Sequence, residues 1–293
     1  MNDFAIVCDS TANLKMDYIK ENGLTVIPYS YYVDGEELIS TDPDDFDAAG
    51  LYGSMRAGKV VTTSQITPER YRSYMGPVLE EGRDILYISM SSGISGSYNS
   101  CRIAAEELRE AYPERKILTV DSLGASLGCG LWVMTAVDMK RSGRSMEDIC
   151  SYIEEHKKNM YQVFTVEDLK YLTRSGRLSN AKAIIGNLLH IKPILKGNEK
   201  GQIVSTEKIR GRANSIKRLA AKFNELSVEP LSQTVGIAHA DCEKEALGLT
   251  DMLKAGREGL KVLTVMYEPV TGSHVGPGTI ALFFLGADDV RSR

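Results

Sequence analysis

The sequence predicts an α/β protein in two parts. The N-terminal part is a doubly wound, mostly parallel sheet domain, and the C-terminal part is an α+β domain. Three observations carry this reading. The first half alternates short apolar runs with helix-like stretches, the βαβα order that winds a parallel sheet. The second half sets Gly197-Asn198-Glu199-Lys200-Gly201 between two apolar runs, which is a hairpin pattern. At ~150 residues per domain, a chain of 293 residues has room for two domains. The break falls near Gly143, in Arg141-Ser142-Gly143-Arg144-Ser145, and gives domains 1–143 and 144–293.

The elements follow in order. Phe4–Cys8 is a short apolar strand that ends at Asp9-Ser10-Thr11, a turn and cap cluster. Asn13–Glu21 is helical and Leu24–Tyr32 a strand. Asp44–Arg56 is an amphipathic helix with Phe46, Leu51 and Met55 on its inner face. Val60-Val61-Thr62 is a brief strand. Thr67-Pro68 reads as an N-cap followed by proline at the first helical position, opening a helix to Glu81. Ile85–Ser89 is a buried strand, Gly96–Ala111 a helix, Ile117–Val120 a strand and Leu123–Arg141 a helix. Ser145–Lys158 is a helix whose Asp148 and Lys157-Lys158 suit the helix dipole. Tyr161–Val166 is a strand and Ala183–Leu189 a short apolar helix. Ile191–Leu195 and Gln202–Ser205 form the hairpin. Ala213–Glu225 is a helix, Thr234–Ala240 a strand and Glu243–Ala255 a helix. Val262–Tyr267 and Thr279–Leu285 are strands separated by a glycine-rich loop, Gly272–Gly278.

Composition narrows the function classes. Hydrophobic residues make up 43% and charged residues 25%, a globular mixture with apolar material for a core. Lys plus Arg number 35 against 39 Asp plus Glu, a net charge of −4, which argues against a general nucleic-acid binder. The N-terminus lacks the basic start and unbroken apolar run of a signal peptide. The uncharged run of 16 residues between Asp121 and Asp138 falls short of the ~20 that span a bilayer. Five cysteines at 8, 101, 129, 150 and 242 form no CxxC pair. They read as small buried hydrophobes in a reducing, cytoplasmic protein, with neither zinc nor a disulfide framework. There is no HExxH, no Walker motif and no GxGxxG, so no metal or nucleotide cofactor is expected.

Ligands of open α/β sheets bind beyond the carboxyl ends of the strands. Four hydroxyl-rich clusters follow expected strands: Asp9-Ser10-Thr11, Thr62-Thr63-Ser64-Gln65, Ser91-Ser92-Gly93-Ile94-Ser95-Gly96-Ser97 and Asp121-Ser122. Each alone is explained by helix capping. Four together suggest one site for an anion. Of the four histidines, His156 sits among charges on a helix and His190 ends one. His239 ends a strand. His274 lies among Gly272, Gly276 and Gly278, where a turn alone does not need a titratable side chain.

In this order and spacing the clusters, with Gly176-Arg177-Leu178, Lys192-Pro193-Ile194 and Gly272-Ser273-His274-Val275-Gly276-Pro277-Gly278, resemble the DegV family. The resemblance covers nearly the whole chain. It implies a two-domain protein that holds one long-chain fatty acid between its domains, as does the fatty acid-binding subunit of bacterial fatty acid kinase. That kinase phosphorylates the bound carboxylate, and the acyl phosphate feeds phospholipid synthesis. Carried over by position, the resemblance assigns ligand binding to Thr63, Ser64, Ser95, Gly96, Gly272 and His274. It assigns Arg174, Arg177 and Arg210, more weakly, to docking the kinase. Two positions depart from the family pattern: Ile66 stands where proline is common, and Ser97 replaces a threonine. Neither change removes a carboxylate donor. A carboxylate held by hydroxyls and an imidazole, without a full counter-charge, stays open to a phosphoryl donor.

The resemblance therefore implies a non-catalytic carrier that makes transient membrane contact. A second reading is a hydrolase with Ser95 as nucleophile and His274 as base, oriented by Asp9 or Asp121, although Ser91-Ser92-Gly93-Ile94-Ser95-Gly96 only approximates a nucleophile elbow. A third is a sugar-phosphate or nucleotide binder, against which the absent phosphate fingerprints weigh.

Overall fold

A computed structural model describes residues 3–39, 42, 46–179 and 191–293. The chain begins with β1 (Phe4–Asp9), a 3-10 turn at Ser10–Ala12, α1 (Met16–Glu21), β2 (Thr25–Ile27), β3 (Ser30–Val33) and β4 (Glu36–Ile39). It continues with α2 (Ala48–Arg56), β5 (Val61–Ser64), α3 (Pro68–Glu80), β6 (Asp84–Ser89), α4 (Ser97–Ala111), β7 (Ile117–Asp121), α5 (Leu127–Arg141) and α6 (Met146–His156). The second half runs β8 (Met160–Thr165), α7 (Lys170–Arg174), β9 (Ile191–Gly197), β10 (Ile203–Arg210), α8 (Arg212–Leu226) and β11 (Thr234–His239). It closes with α9 (Glu243–Lys254), β12 (Lys261–Met266), α10 (Pro269–Val275) and β13 (Ile280–Leu285). The helix expected at 183–189, with His190, lies outside the described residues.

The first sheet is wholly parallel, in the order β2-β1-β6-β7. Successive side chains of a strand face opposite sides, so a sheet covered on both faces needs apolar residues at every position. β1 meets this demand. Phe4, Ile6 and Cys8 enter one core, Ala5 and Val7 the other. In β6 the partition is Leu86 and Ile88 against Ile85 and Tyr87. Helices α3 and α4 cover the second face and α5 the first, which is the doubly wound arrangement.

Two expectations fail in this half. Leu24–Tyr32 is not one strand. Proline lacks the N–H that a ladder needs, and the chain breaks at Pro28 between β2 and β3. Tyr29 N then donates to Ser10 Oγ (3.1 Å). Beyond the break β3 joins a separate antiparallel sheet of order β4-β3-β5. β4 was not expected at all. It follows Asp34-Gly35, both at positive φ (53° and 87°), a two-residue hairpin turn.

The second sheet has six strands in the order β10-β9-β8-β13-β11-β12, with only β11–β12 parallel. The hairpin of β9 and β10 forms as expected, and this half is α+β. Helices α8 and α9 cover one face; the other turns toward α5.

Helix α5 is therefore packed from both sides. Its glycines are the reason that it fits. A Cβ at Gly128 would stand 2.3 Å from Gln162 Oε1 on β8, and one at Gly130 would stand 2.2 Å from Ala12 O beside β1. At the expected domain break, α5 ends at Arg141, Gly143 takes φ +82° and Ser145 caps α6 in a box with Asp148. Past that break, α6 still packs on β7 of the first sheet, and Lys116 pairs with Glu147. No helix among the described residues is long and apolar enough to cross a membrane. All five cysteines are free.

Candidate functional site

The four hydroxyl clusters divide into two pairs. The first pair turns inward onto the backbone. Asp9, fully buried, accepts from Thr11 N (3.0 Å), Met90 N (3.0 Å) and Tyr87 OH (3.1 Å), and Tyr87 OH lies 2.8 Å from Tyr71 OH. Burial pushes its carboxyl up. Asp121 accepts from Ser92 N (3.2 Å) and Leu123 N (3.0 Å), and Ser122 Oγ donates to Ser89 O (2.6 Å). These groups rivet strand ends to the loop 90–97.

The second pair faces a cavity of about 460 Å³ between the first sheet's loops and the inner face of the second sheet. Thr63 and Ser64 arrive from β5, Ser95 and Gly96 from the start of α4, and His274 from α10. Thr63 Oγ1 lies 2.8 Å from His274 Nε2. Burial, with Arg177 and Arg174 nearby, holds the imidazole down to about 4, so it is neutral at pH 7. Either tautomer leaves one hydrogen uncommitted by this bond. It sits on Thr63 Oγ1 if Nε2 donates, and on Nδ1 if Nε2 accepts. Ser95 Oγ lies 3.0 Å from Tyr29 OH and 3.1 Å from Ser97 Oγ. Phe164, Ala281 and Phe283 from β8 and β13 line the same cavity, with Leu172 and Ile203 and the polar Gln162 of β8. The lining thus combines hydroxyl and imidazole hydrogens with a group of apolar side chains from the second half.

The expected site residues fare differently. Thr63, Ser64, Ser95, Gly96 and His274 all line the cavity, and so does Arg177, which also donates to Ser175 O (2.5 Å). Gly272 does not line it. A Cβ there would stand 2.0 Å from Tyr52 OH, so the glycine serves packing. Arg174 is exposed over the Tyr171 ring (5.5 Å). Arg210 is exposed at the end of β10, away from the cavity lining.

The segment around His274 is a helix, not the glycine-rich loop expected. Glu268 caps α10, accepting from Val270 N (2.6 Å) and Thr271 N (2.8 Å), and Pro269 takes the first helical position. Burial pushes the Glu268 carboxyl up to about 7. Only Gly276 and Gly278 adopt positive φ, past the helix end. A Glu-Pro pair is the same start signal read correctly at Thr67-Pro68, where Thr67 caps α3.

Two residues that hold the loops beside the cavity carry no signal in the sequence; Gln162 lines it and Arg291 lies outside the lining. Gln162 accepts from Ala125 N (3.0 Å) and donates to Leu123 O (2.9 Å). Arg291, 2% exposed, donates to the carbonyls of Leu123 (2.9 Å), Met160 (3.0 Å), Lys157 (3.1 Å) and Asn198 (3.3 Å). With Ser91 Oγ donating to Gly201 O (2.9 Å), these bonds fasten the hairpin and β8 to the first sheet's loops. No sequence signal marks a buried arginine that donates to four backbone carbonyls.

The family model described as uncharacterised proteins of the DegV family matches residues 3–287. This chain belongs to the DegV family. Among the relatives, a DegV domain-containing protein of Clostridium perfringens is 37% identical over 286 residues, covering 98% of each chain. Among solved structures, a DegV family protein from Thermus thermophilus described by its fatty acid binding aligns with a TM-score of 0.86 at 26% identity, covering 98% of this chain and 100% of that one. DegV of Bacillus subtilis, described as a fatty acid binding protein, aligns with a TM-score of 0.83 at 28% identity over the same shares. The two-domain DegV architecture, parallel sheet first, is thus the architecture of this chain.

Proposed function

We propose that this DegV-family chain is a carrier that binds one long-chain fatty acid. Its carboxylate sits at Thr63, Ser95 and His274 and its tail runs along Phe164, Ala281 and Phe283. The observation that carries the reading is one cavity whose lining joins the hydrogen donors at Thr63, Ser95 and His274 to the apolar side chains of Phe164, Ala281 and Phe283. Its volume falls within the ~300–1,000 Å³ of small-molecule sites. An acyl chain gains ~0.8 kcal/mol for each CH₂ taken from water. The fatty acid binding described for the Thermus and Bacillus relatives supports the same reading.

The carrier presents the carboxylate to a kinase partner in the cytoplasm, for acyl phosphate formation and phospholipid synthesis. Arg174 and Arg177, with the exposed Arg210, are the docking candidates. The hydrolase reading is less well supported. His274 Nε2 is engaged by Thr63, and Ser95 Oγ by Tyr29 and Ser97; no hydrogen bond among the described residues joins Ser95 to His274.

The test is mass spectrometry of a solvent extract of the purified protein, followed by titration of the delipidated protein with oleate. A fatty acid in the extract and saturable binding are expected. His274→Ala and Ser95→Ala each weaken retention by about ten-fold, whereas His156→Ala, on the far surface of α6, does not. No lipid in the extract together with no oleate binding rejects the reading.

A further inference from the structure

Tyr29 belongs to none of the hydroxyl clusters, yet it reaches the middle of the site. It is 3% exposed and lines the cavity just past the Pro28 break. Its hydroxyl lies 3.0 Å from Ser95 Oγ and 3.9 Å from Met90 Sδ. Thioether sulfur is a weak acceptor, so the phenolic hydrogen goes to the serine oxygen. Burial pushes the phenol far above its usual range, so that hydrogen is present at every working pH.

The remaining valences of Ser95 follow from counting. A hydroxyl accepts two hydrogen bonds and donates one. Ser97 N donates to Ser95 Oγ at 3.2 Å, and Tyr29 OH supplies the second donor. Both acceptor positions of Ser95 are then filled from within the protein. Its own hydrogen is left to donate, either to Ser97 Oγ at 3.1 Å or to a ligand in the cavity. Ser97 Oγ also accepts from Ile66 N (3.0 Å), so it keeps a donor when the Ser95 hydrogen turns to a ligand.

We propose that Tyr29 is a positioning residue that fixes Ser95 as a hydrogen donor toward the bound head group and so selects an ionised carboxylate over a neutral head of the same chain. The proposal rests on the fatty-acid reading of the cavity. A carboxylate is acceptor-only, and hydrogen bonds to a charged acceptor are about twice as strong as neutral ones. A polarised donor therefore favours the acid most.

The experiment compares oleate with oleyl alcohol on delipidated wild-type, Tyr29→Phe, Ser95→Ala and double-variant proteins. Tyr29→Phe keeps the ring and removes only the hydroxyl. It is expected to weaken oleate by about three- to ten-fold and oleyl alcohol by less than about two-fold. In the Ser95→Ala background, Tyr29→Phe is expected to have no further effect on oleate. Equal losses for acid and alcohol, or additive losses in the double variant, overturn the proposal and leave Tyr29 a packing residue. Wild-type protein that binds neither probe overturns the fatty-acid reading itself. Thermal unfolding of each variant separates a fold defect from a site defect, and Tyr29→Met, which also lacks a hydrogen to donate, is the second substitution should Tyr29→Phe fail to fold.

Discussion

The two faces of the six-stranded sheet carry much the same residues and meet different neighbours. Leu282 and Phe284 alternate with Ala281 and Phe283 along β13. The first two enter the core under α8 and α9, where Phe284 meets Phe223 at 5.2 Å and Tyr161 at 5.4 Å between ring centroids. The second two face the side of α5 and help to wall the cavity. One face is sealed by its own domain; the other is sealed only in part, by a helix borrowed from the first half of the chain. Apolar alternation in sequence is identical in the two cases, so it marks burial and not what does the burying.

This contrast can be broken experimentally. The largest effect is expected on the sealed face, where Phe284→Ala should cost about 3–5 kcal/mol of stability. A urea unfolding curve measures it, and oleate affinity of the folded fraction should not change. Enlarging a residue separates the faces next. Ala246→Leu, in the filled core of α9, should cost about 1–3 kcal/mol through overpacking. Ala281→Leu should cost no more than about 1 kcal/mol because it grows into open volume, yet it should lower oleate affinity at least about ten-fold. Similar stability losses for the two alanines would mean that the inner face is as closed as the outer.

The smallest effect is a matter of pH. His274 charges near 6.5 in the unfolded chain and only near 4 in the folded one. The unfolded state therefore binds the proton first as pH falls. The stability that the neutral imidazole contributes is complete above about pH 6.5 and is lost toward pH 4. Between pH 7 and pH 5 the empty protein should lose about 1–2 kcal/mol through this group. The His274→Gln protein should lose that much less over the same interval, as compared by urea unfolding at the two values. Added oleate should reduce the wild-type loss, because a carboxylate beside the ring favours its charged form.

Much of the fold was legible because local signals agree with tertiary demand. Thr67-Pro68 and the Ser145–Asp148 box start helices where they should, and every-position hydrophobicity marks β1 and β6 as strands covered on both faces. Legibility fails where two signals compete. Around His274 three glycines outweighed Glu268-Pro269, although the glycines serve close approaches, Gly272 to Tyr52 and Gly276 to Tyr171. At Pro28 the apolar run continues through a residue that cannot join a ladder. At Asp34-Gly35 a strong hairpin signal stood among Glu36, Glu37 and other exposed residues, so the second strand carried no buried face to announce it. In the site, the clusters that rivet loops each carry a carboxylate, Asp9 and Asp121, which accepts backbone N–H groups, and the two that face the cavity carry none. The hydroxyls taken by themselves do not tell the two kinds apart.

The helix that both sheets share has an optical consequence. The only tryptophan of the chain, Trp132, lies on α5, is 1% exposed and meets Tyr152 edge-on at 6.4 Å between ring centroids. Its emission therefore reads out the packing of α5 against α6 with no label added. A colour shift on lipid loading would report a change transmitted to that contact, and an unchanged spectrum would report a cavity that fills without disturbing it.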